Sequence, residues 1–202
     1  MIDFLATFII FFAVIDPIGT VPVFIAVTSH FDEKARNKIA LIAILVAAVI
    51  LMFFVLAGEF ILTAMSIPLP AFQVAGGIVL FLFALTMIFG ESKPDEEIKL
   101  AHDHHETAVF PLAVPSIAGP GAMLAAVLMT EKHRFSFWEQ AQTASMILAV
   151  LFIVYLLMIM SGPINKLIGA SGASVVSRVM GLILASVATS NTLSGIKLYF
   201  VL

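Results

Sequence analysis

Two short motifs hold the residue types that could do chemistry. The first is Asp16-Pro17-Ile18-Gly19-Thr20-Val21-Pro22 and the second is Pro115-Ser116-Ile117-Ala118-Gly119-Pro120-Gly121. Each sets proline and glycine in the middle of an apolar run, where a simple anchor would carry leucine and valine. Proline lacks an N–H and drives the preceding residue out of the helical region. It is nevertheless well tolerated at the first position of a helix. The spacing therefore predicts a fresh helix start in each motif, with Asp16 as N-cap before Pro17 and Gly119 as N-cap before Pro120. The first N–H groups of a new helix have no partner within it. They carry a partial positive charge, roughly half an elementary charge, and form a ready site for a carboxylate.

The motifs differ in one respect: Asp16 brings its own anion and Gly119 brings none. A zwitterionic amino acid suits that asymmetry. Its carboxylate would sit on the N–H groups of Gly121 and Ala122, and its ammonium would pair with Asp16. Pro17, Gly19, Thr20 and Ser116 complete the candidate binding set in the two motifs. Asn191 adds an amide from a later apolar run that also holds Ser186, Thr189, Ser190, Thr192 and Ser194. Each feature has a structural counter-reading. Asp16 can serve only as a cap, the glycines can serve close helix packing, and Asn191 can bond between helices.

The elements that must position these residues follow from composition. The chain has 202 residues, 61% hydrophobic and 11% charged, with mean hydropathy +1.13. Soluble domains run near ~25% charged, so this chain lacks the side chains for a polar coat. That excludes a soluble globular enzyme and points to the bilayer. Net charge is −3 with no basic patch, so nucleic acid is not an expected partner. The absence of cysteine excludes disulfides, cysteine-ligated metals and cysteine nucleophiles.

A membrane-crossing helix needs about 20 mostly apolar residues, and the charges leave room for six. These are residues 4–28, 39–58, roughly 71–90 after a turn at Ser66-Ile-Pro-Leu-Pro70, 107–130, 140–165 and 179–196. Loops 1–2, 3–4 and 5–6 hold Lys34, Arg36, Lys38, Lys93, Lys99, Lys166 and Arg178; the other side holds Lys132, Arg134 and Lys197. Lysine and arginine favour the cytoplasm, so both termini are expected outside it, in a multi-pass protein of the cell membrane.

Segments 1 and 4 share their breaks, and segments 3 and 6 share a second pattern. Gln73-Val-Ala-Gly-Gly77-Ile-Val-Leu80 lines up with Ser177-Arg-Val-Met-Gly181-Leu-Ile-Leu184. The expectation is one all-α transmembrane domain over 1–202, with repeat 1 at 1–90, a loop at 91–106 and repeat 2 at 107–202. Three is odd, so the second copy enters from the opposite side. Two inverted three-helix repeats, with helices 1 and 4 broken at mid-membrane, are an architecture of secondary transporters.

Other signals carry less. His102-Asp103-His104-His105-Glu106 looks like a metal-binding tract, but it lies in the most polar loop and reads as solvated; no metal or cofactor is expected. No protease, esterase or Walker-type motif is present. One mid-span acid without a mid-span histidine gives no catalytic pair, so an enzyme is not expected. Glu59 reads as interfacial.

Asp16-Pro-Ile-Gly-Thr-Val-Pro-Val-Phe24 and Pro111-Leu-Ala-Val-Pro-Ser-Ile-Ala-Gly-Pro-Gly-Ala-Met123 resemble the two signatures of the MarC family of integral membrane proteins. Ala71–Leu85 and Arg178–Leu184 resemble its third and sixth helices, so the likeness covers nearly the whole chain. The resemblance implies a six-span protein of about this length. It also implies the substrate class, since the family includes SnatA-like transporters of glycine, alanine, serine and threonine. Thr20 departs from the pattern, since many members carry Asn there. The expected function is thus secondary transport of a small neutral amino acid by alternating access, driven by a proton or sodium gradient. Export of other small metabolites or drugs on the same fold, and a non-transporting membrane scaffold, are the competing functions. A homo-oligomer is compatible with the sequence.

Overall fold

The computed structural model describes residues 4–89, 104–131 and 135–200. Every regular element among them is helical. In chain order these are α1 (Phe4–Ile15), α2 (Pro17–Thr28), α3 (Glu33–Ala64), α4 (Leu69–Phe89), the single turn α5 (His104–Thr107), the wide-turned α6 (Ala108–Ile117), α7 (Pro120–Leu128), α8 (Phe137–Ile159) and α9 (Ser161–Phe200).

Local chemistry sets the ends of the long helices. The Asp32 carboxylate accepts the Ala35 N–H at 3.0 Å and starts α3. Ser136 and Glu139 form a reciprocal capping box at the start of α8. At the end of α3, Ser66 takes a left-handed conformation (φ 55), and the Ile67 N–H donates to the Leu62 carbonyl at 2.9 Å. This closes the helix as a Schellman motif does, with serine in the place glycine usually holds. The turn expected at Ser66–Pro70 is therefore present, and α4 begins at Leu69.

The bundle is apolar on the outside as well as within. Leu56 is 74% exposed and Phe60 70%, while Ile39, Ala43, Ala47 and Leu51 of the same helix are fully buried. Such an outer face is stable against lipid, not water. Four described stretches are long and apolar enough to cross a membrane: Phe4–Thr28, Glu33–Ala64, Leu69–Phe89 and Phe137–Ile159. A fifth arises if Ala108–Ile117 and Pro120–Leu128, bent by 54° at their junction, form one broken span.

The larger contacts between elements run in matched pairs. α1 lies on α8 and α6 on α3; α2 lies on α8 and α7 on α3; α2 lies on α9 and α7 on α4; α1 lies on α7 and α6 on α2. The most extensive contact joins α4 and α9. Small residues seven apart form its seam: Gly77 and Ala84 on α4, and Gly181, Ala188 and Gly195 on α9. A methyl built on Gly77 would lie 3.0 Å from the Ala188 carbonyl oxygen, and one on Gly181 would lie 3.0 Å from that of Ala84. The helices run antiparallel, because Gly195 faces Pro70 and Val74 while Gly181 faces Ala84, Met87 and Ile88. Leu80 and Leu184 are buried.

One boundary departs from the expectation. Sequence placed a fifth span at 140–165 and left Lys166 and Arg178 in a loop. Instead α8 ends at Ile159, and a 40-residue α9 starts at Ser161 and runs through both positions. Charged residues do not break helices, and Pro163 falls in the first turn of α9, where proline is tolerated.

Candidate functional site

At the first motif the interruption is a single residue. Asp16 adopts φ 51, ψ 68, a left-handed conformation that aspartate tolerates better than most residues. Helical bonding continues on either side. The Asp16 N–H donates to the Phe12 carbonyl at 3.1 Å, and the Thr20 N–H donates to the Asp16 carbonyl at 3.0 Å. The Asp16 carboxylate accepts the Gly19 N–H at 3.0 Å, which makes it the N-cap of α2 with Pro17 at the start. The Thr20 hydroxyl donates to the Asp16 carbonyl at 3.0 Å.

Asp16 is only 5% exposed, and Pro17 and Thr20 are also buried. A carboxylate at this depth costs at least ~2.5–3.5 kcal/mol on insertion scales, so its surroundings must repay that. Gly19 is required here by close approach. A methyl on it would collide with Asp16 Oδ2 and lie 2.7 Å from Asp16 Cγ.

The second motif is opened much further. Phe110 (φ −130, ψ 126) and Val114 (φ −133, ψ 126) are extended inside α6. Each directly precedes a proline, whose ring excludes the helical conformation there. The Phe110–Pro111 and Val114–Pro115 peptide bonds are cis. The Ala118 N–H reaches back to the Ala113 carbonyl at 2.8 Å, and Gly119 is then the N-cap of α7 in extended conformation (φ −78, ψ 169). Among the described residues no side chain caps this terminus. Gly119, Gly121 and Ala122 are buried and Ser116 is half-buried. A methyl on Gly119 would lie 2.7 Å from the Pro115 carbonyl oxygen, so glycine is needed where the chain doubles back on itself.

The two breaks are thus helix starts of the expected kind, but they are not alike in form. One pivots on a single left-handed residue; the other spreads over two extended residues and a sharp bend. The helices of the two motifs pack crosswise, α1 on α7 and α2 on α6. Each break falls between a contact with one half of the other motif's helices and a contact with the other half.

The structure does not join Asn191 to the breaks. It is half-buried on α9, and no hydrogen bond among the described residues links it to Asp16 or Gly119. Its hydroxyl neighbours are satisfied within the helix: Ser186 donates to Leu182 O, Thr189 to Ala185 O and Thr192 to Ala188 O. Of the tract at 102–106, His102 and Asp103 lie outside the described residues, and no metal-binding cluster occurs among those described.

Leu80 is a contact that sequence reasoning missed. Its side chain packs where a methyl on Gly121 would go. Its signal was present in the shared pattern Gly-x-x-Leu-x-x-x-Ala at Gly77–Ala84 and Gly181–Ala188. The prolines at 111 and 115 likewise foretold the extended residues before them.

An all-helical bundle with apolar outer faces and buried, proline-broken helices defines an integral membrane protein. Comparison with known proteins agrees. The family profile described as MarC family integral membrane protein matches residues 1–200, and the chain belongs to that family. It is 36% identical to the UPF0056 membrane protein MJ1677 of Methanocaldococcus jannaschii, over 96% of both chains. It is 32% identical to a UPF0056 membrane protein of Buchnera aphidicola subsp. Schizaphis graminum, over 99% of both. It is 30% identical to the UPF0056 inner membrane protein YhgN of Escherichia coli K12, over 98% of both. No solved structure matches the chain.

Proposed function

We propose that this protein is a secondary transporter of small neutral amino acids, built from two inverted three-helix repeats. The observation that carries the reading is the pair of buried helix starts, one with its own carboxylate and one uncapped. The uncapped start of α7 would hold the substrate carboxylate on the N–H groups of Gly121 and Ala122. Asp16 would face the substrate ammonium. The choice of glycine, alanine, serine or threonine as guest is what the family resemblance implies.

The matched contacts support the inverted repeat. Exchanging α1, α2, α3, α4 for α6, α7, α8, α9 turns each paired contact into its partner. The same exchange turns the Gly77–Ala188 approach into the Gly181–Ala84 approach. A side-chain bond supports the number of crossings. Arg36, at the start of α3, donates to Ser161, just after α8, at 2.9 Å. Those ends share a membrane face only if the chain crosses an even number of times between them. α3, α4 and α8 make three, so 108–128 supplies the fourth as a broken span.

Both breaks are buried in this arrangement, so transport would open first one face and then the other as one repeat rocks against its mate. A proton carried by Asp16 is the first-choice coupling and sodium at carbonyls freed by the breaks is the second. In proteoliposomes, alanine uptake should respond to an imposed proton or sodium gradient. Uptake indifferent to both removes the coupling, and no uptake of any small amino acid removes the transporter reading. A scaffold role is the second reading, favoured by the direct packing of Leu80 against Gly121. It predicts no amino-acid binding at all.

A further inference from the structure

Arg36 stands apart from the charges that merely decorate helix ends. It lies at the end of the first turn of α3, half-buried, with its guanidinium donating to the Ser161 hydroxyl at 2.9 Å. Its Cζ also lies over the Phe24 ring, 5.5 Å from the centroid. Phe24 and Ser161 are each 1% exposed. One cation thus joins three elements at one face of the bundle: α2, which follows the Asp16 break, α3, and the start of α9. Phe24 and Arg36 belong to the first half of the chain and Ser161 to the second.

The opposite face is closed differently. There Val127 of α7 packs where a methyl on Gly58 of α3 would go. The Thr130 hydroxyl spends its short bond on Ala126 O, 2.6 Å away, and reaches Val55 O only at 3.4 Å. Opening the face at the start of α3 must break a hydrogen bond from a charged donor and a cation–aromatic contact.

We infer that Arg36 is the latch of the face at the start of α3, holding α2 and α9 together through Phe24 and Ser161 while that face is shut. This rests on the transporter reading, since a scaffold has no face to open. The chemistry of the part is particular: a planar guanidinium can stack on a ring and donate sideways at once, which an ammonium does less well. Arg36 touches no proposed substrate atom and acts by setting which face opens.

The chain has no cysteine, so one introduced thiol reports alone. Thr20→Cys places it beside the Asp16 break. Oriented proteoliposomes are exposed to a membrane-impermeant thiol reagent from one face at a time. Adding Arg36→Ala should raise the labelling rate from the Arg36 face roughly tenfold and lower it from the opposite face, as loss of a charged hydrogen bond and a ring contact implies. Ser161→Ala should give a smaller rise from the same face. Because it removes only a hydroxyl, it keeps the test open if Arg36→Ala misfolds. Labelling from either face that is unchanged by both substitutions overturns the latch and leaves the transporter reading standing. No labelling from either face in any variant overturns the transporter reading, and the latch falls with it.

Discussion

Asp16 has two separable jobs in this account, and three substitutions separate them. As a cap, its side chain accepts the Gly19 N–H at 3.0 Å; as a backbone pivot, it occupies φ 51. Asparagine keeps a capping oxygen and tolerates the left-handed conformation, so Asp16→Asn should leave stability within about 0.5 kcal/mol of the parent. Glycine loses the cap but pays nothing for the positive φ, so Asp16→Gly should cost only a few tenths of a kcal/mol. Alanine loses both. The cap is worth about 0.5–2 kcal/mol and the left-handed conformation about 1–2 kcal/mol, so Asp16→Ala should cost about 1.5–4 kcal/mol. Unfolding of the detergent-purified protein measures the order: parent, Asn and Gly close together, then Ala. Alanine uptake in proteoliposomes reads the other job. If the carboxylate meets the ammonium or carries the coupling proton, Asp16→Asn should abolish uptake while staying folded. An Asn variant as unstable as Ala refutes the capping argument. An Asn variant that transports at the parental rate refutes the charge argument.

Other positions give sharper steric tests. Gly119→Ala should lower stability by about 1–3 kcal/mol, the usual cost of overpacking, because the Pro115 carbonyl is backbone and cannot rotate away; amino-acid binding should fall with it, and a parental melting temperature would contradict this. Gly77→Val and Gly181→Val should each destabilise by about 1–3 kcal/mol, because an added methyl at either glycine lies 3.0 Å from a carbonyl of the opposite helix. Parental stability of either variant in the same unfolding assay would count against the close approach of the two helices. For orientation, Lys38→Cys should react with an impermeant reagent only from the cytoplasmic side and Phe137→Cys, on an 83% exposed residue, only from outside; the reverse pattern would invert the topology.

Much of this fold could be read from the chain because its signals are local. Proline at a first helical position and a capping residue before it act within four residues, so both helix starts, at Asp16 and Gly119, were legible. So were the apolar runs, since a span must exclude charge over its whole length. The end of α8 was not. Lys166 and Arg178 looked like a loop because charge marks the edge of lipid, but charge does not stop a helix, and α9 continues through both. The difference between the breaks was half-visible: prolines at 111 and 115 imply extended residues before them, while nothing near Asp16 announces that a single left-handed residue suffices. Asn191 was chosen for its burial cost alone, which cannot say what the amide touches. The contacts that join the halves were out of reach. Arg36 and Ser161 are 125 positions apart, and neither carries a pattern that names the other.

The most direct test is a thermal-shift panel of the twenty amino acids on the purified protein. Glycine, alanine, serine and threonine should raise the melting temperature and compete with one another, with stabilisation of about 2.7 kcal/mol at a hundredfold excess over the dissociation constant. Large, charged and aromatic side chains should leave it unmoved. A flat response to all twenty, from protein that is folded and monodisperse, would contradict an amino-acid site at the two helix starts.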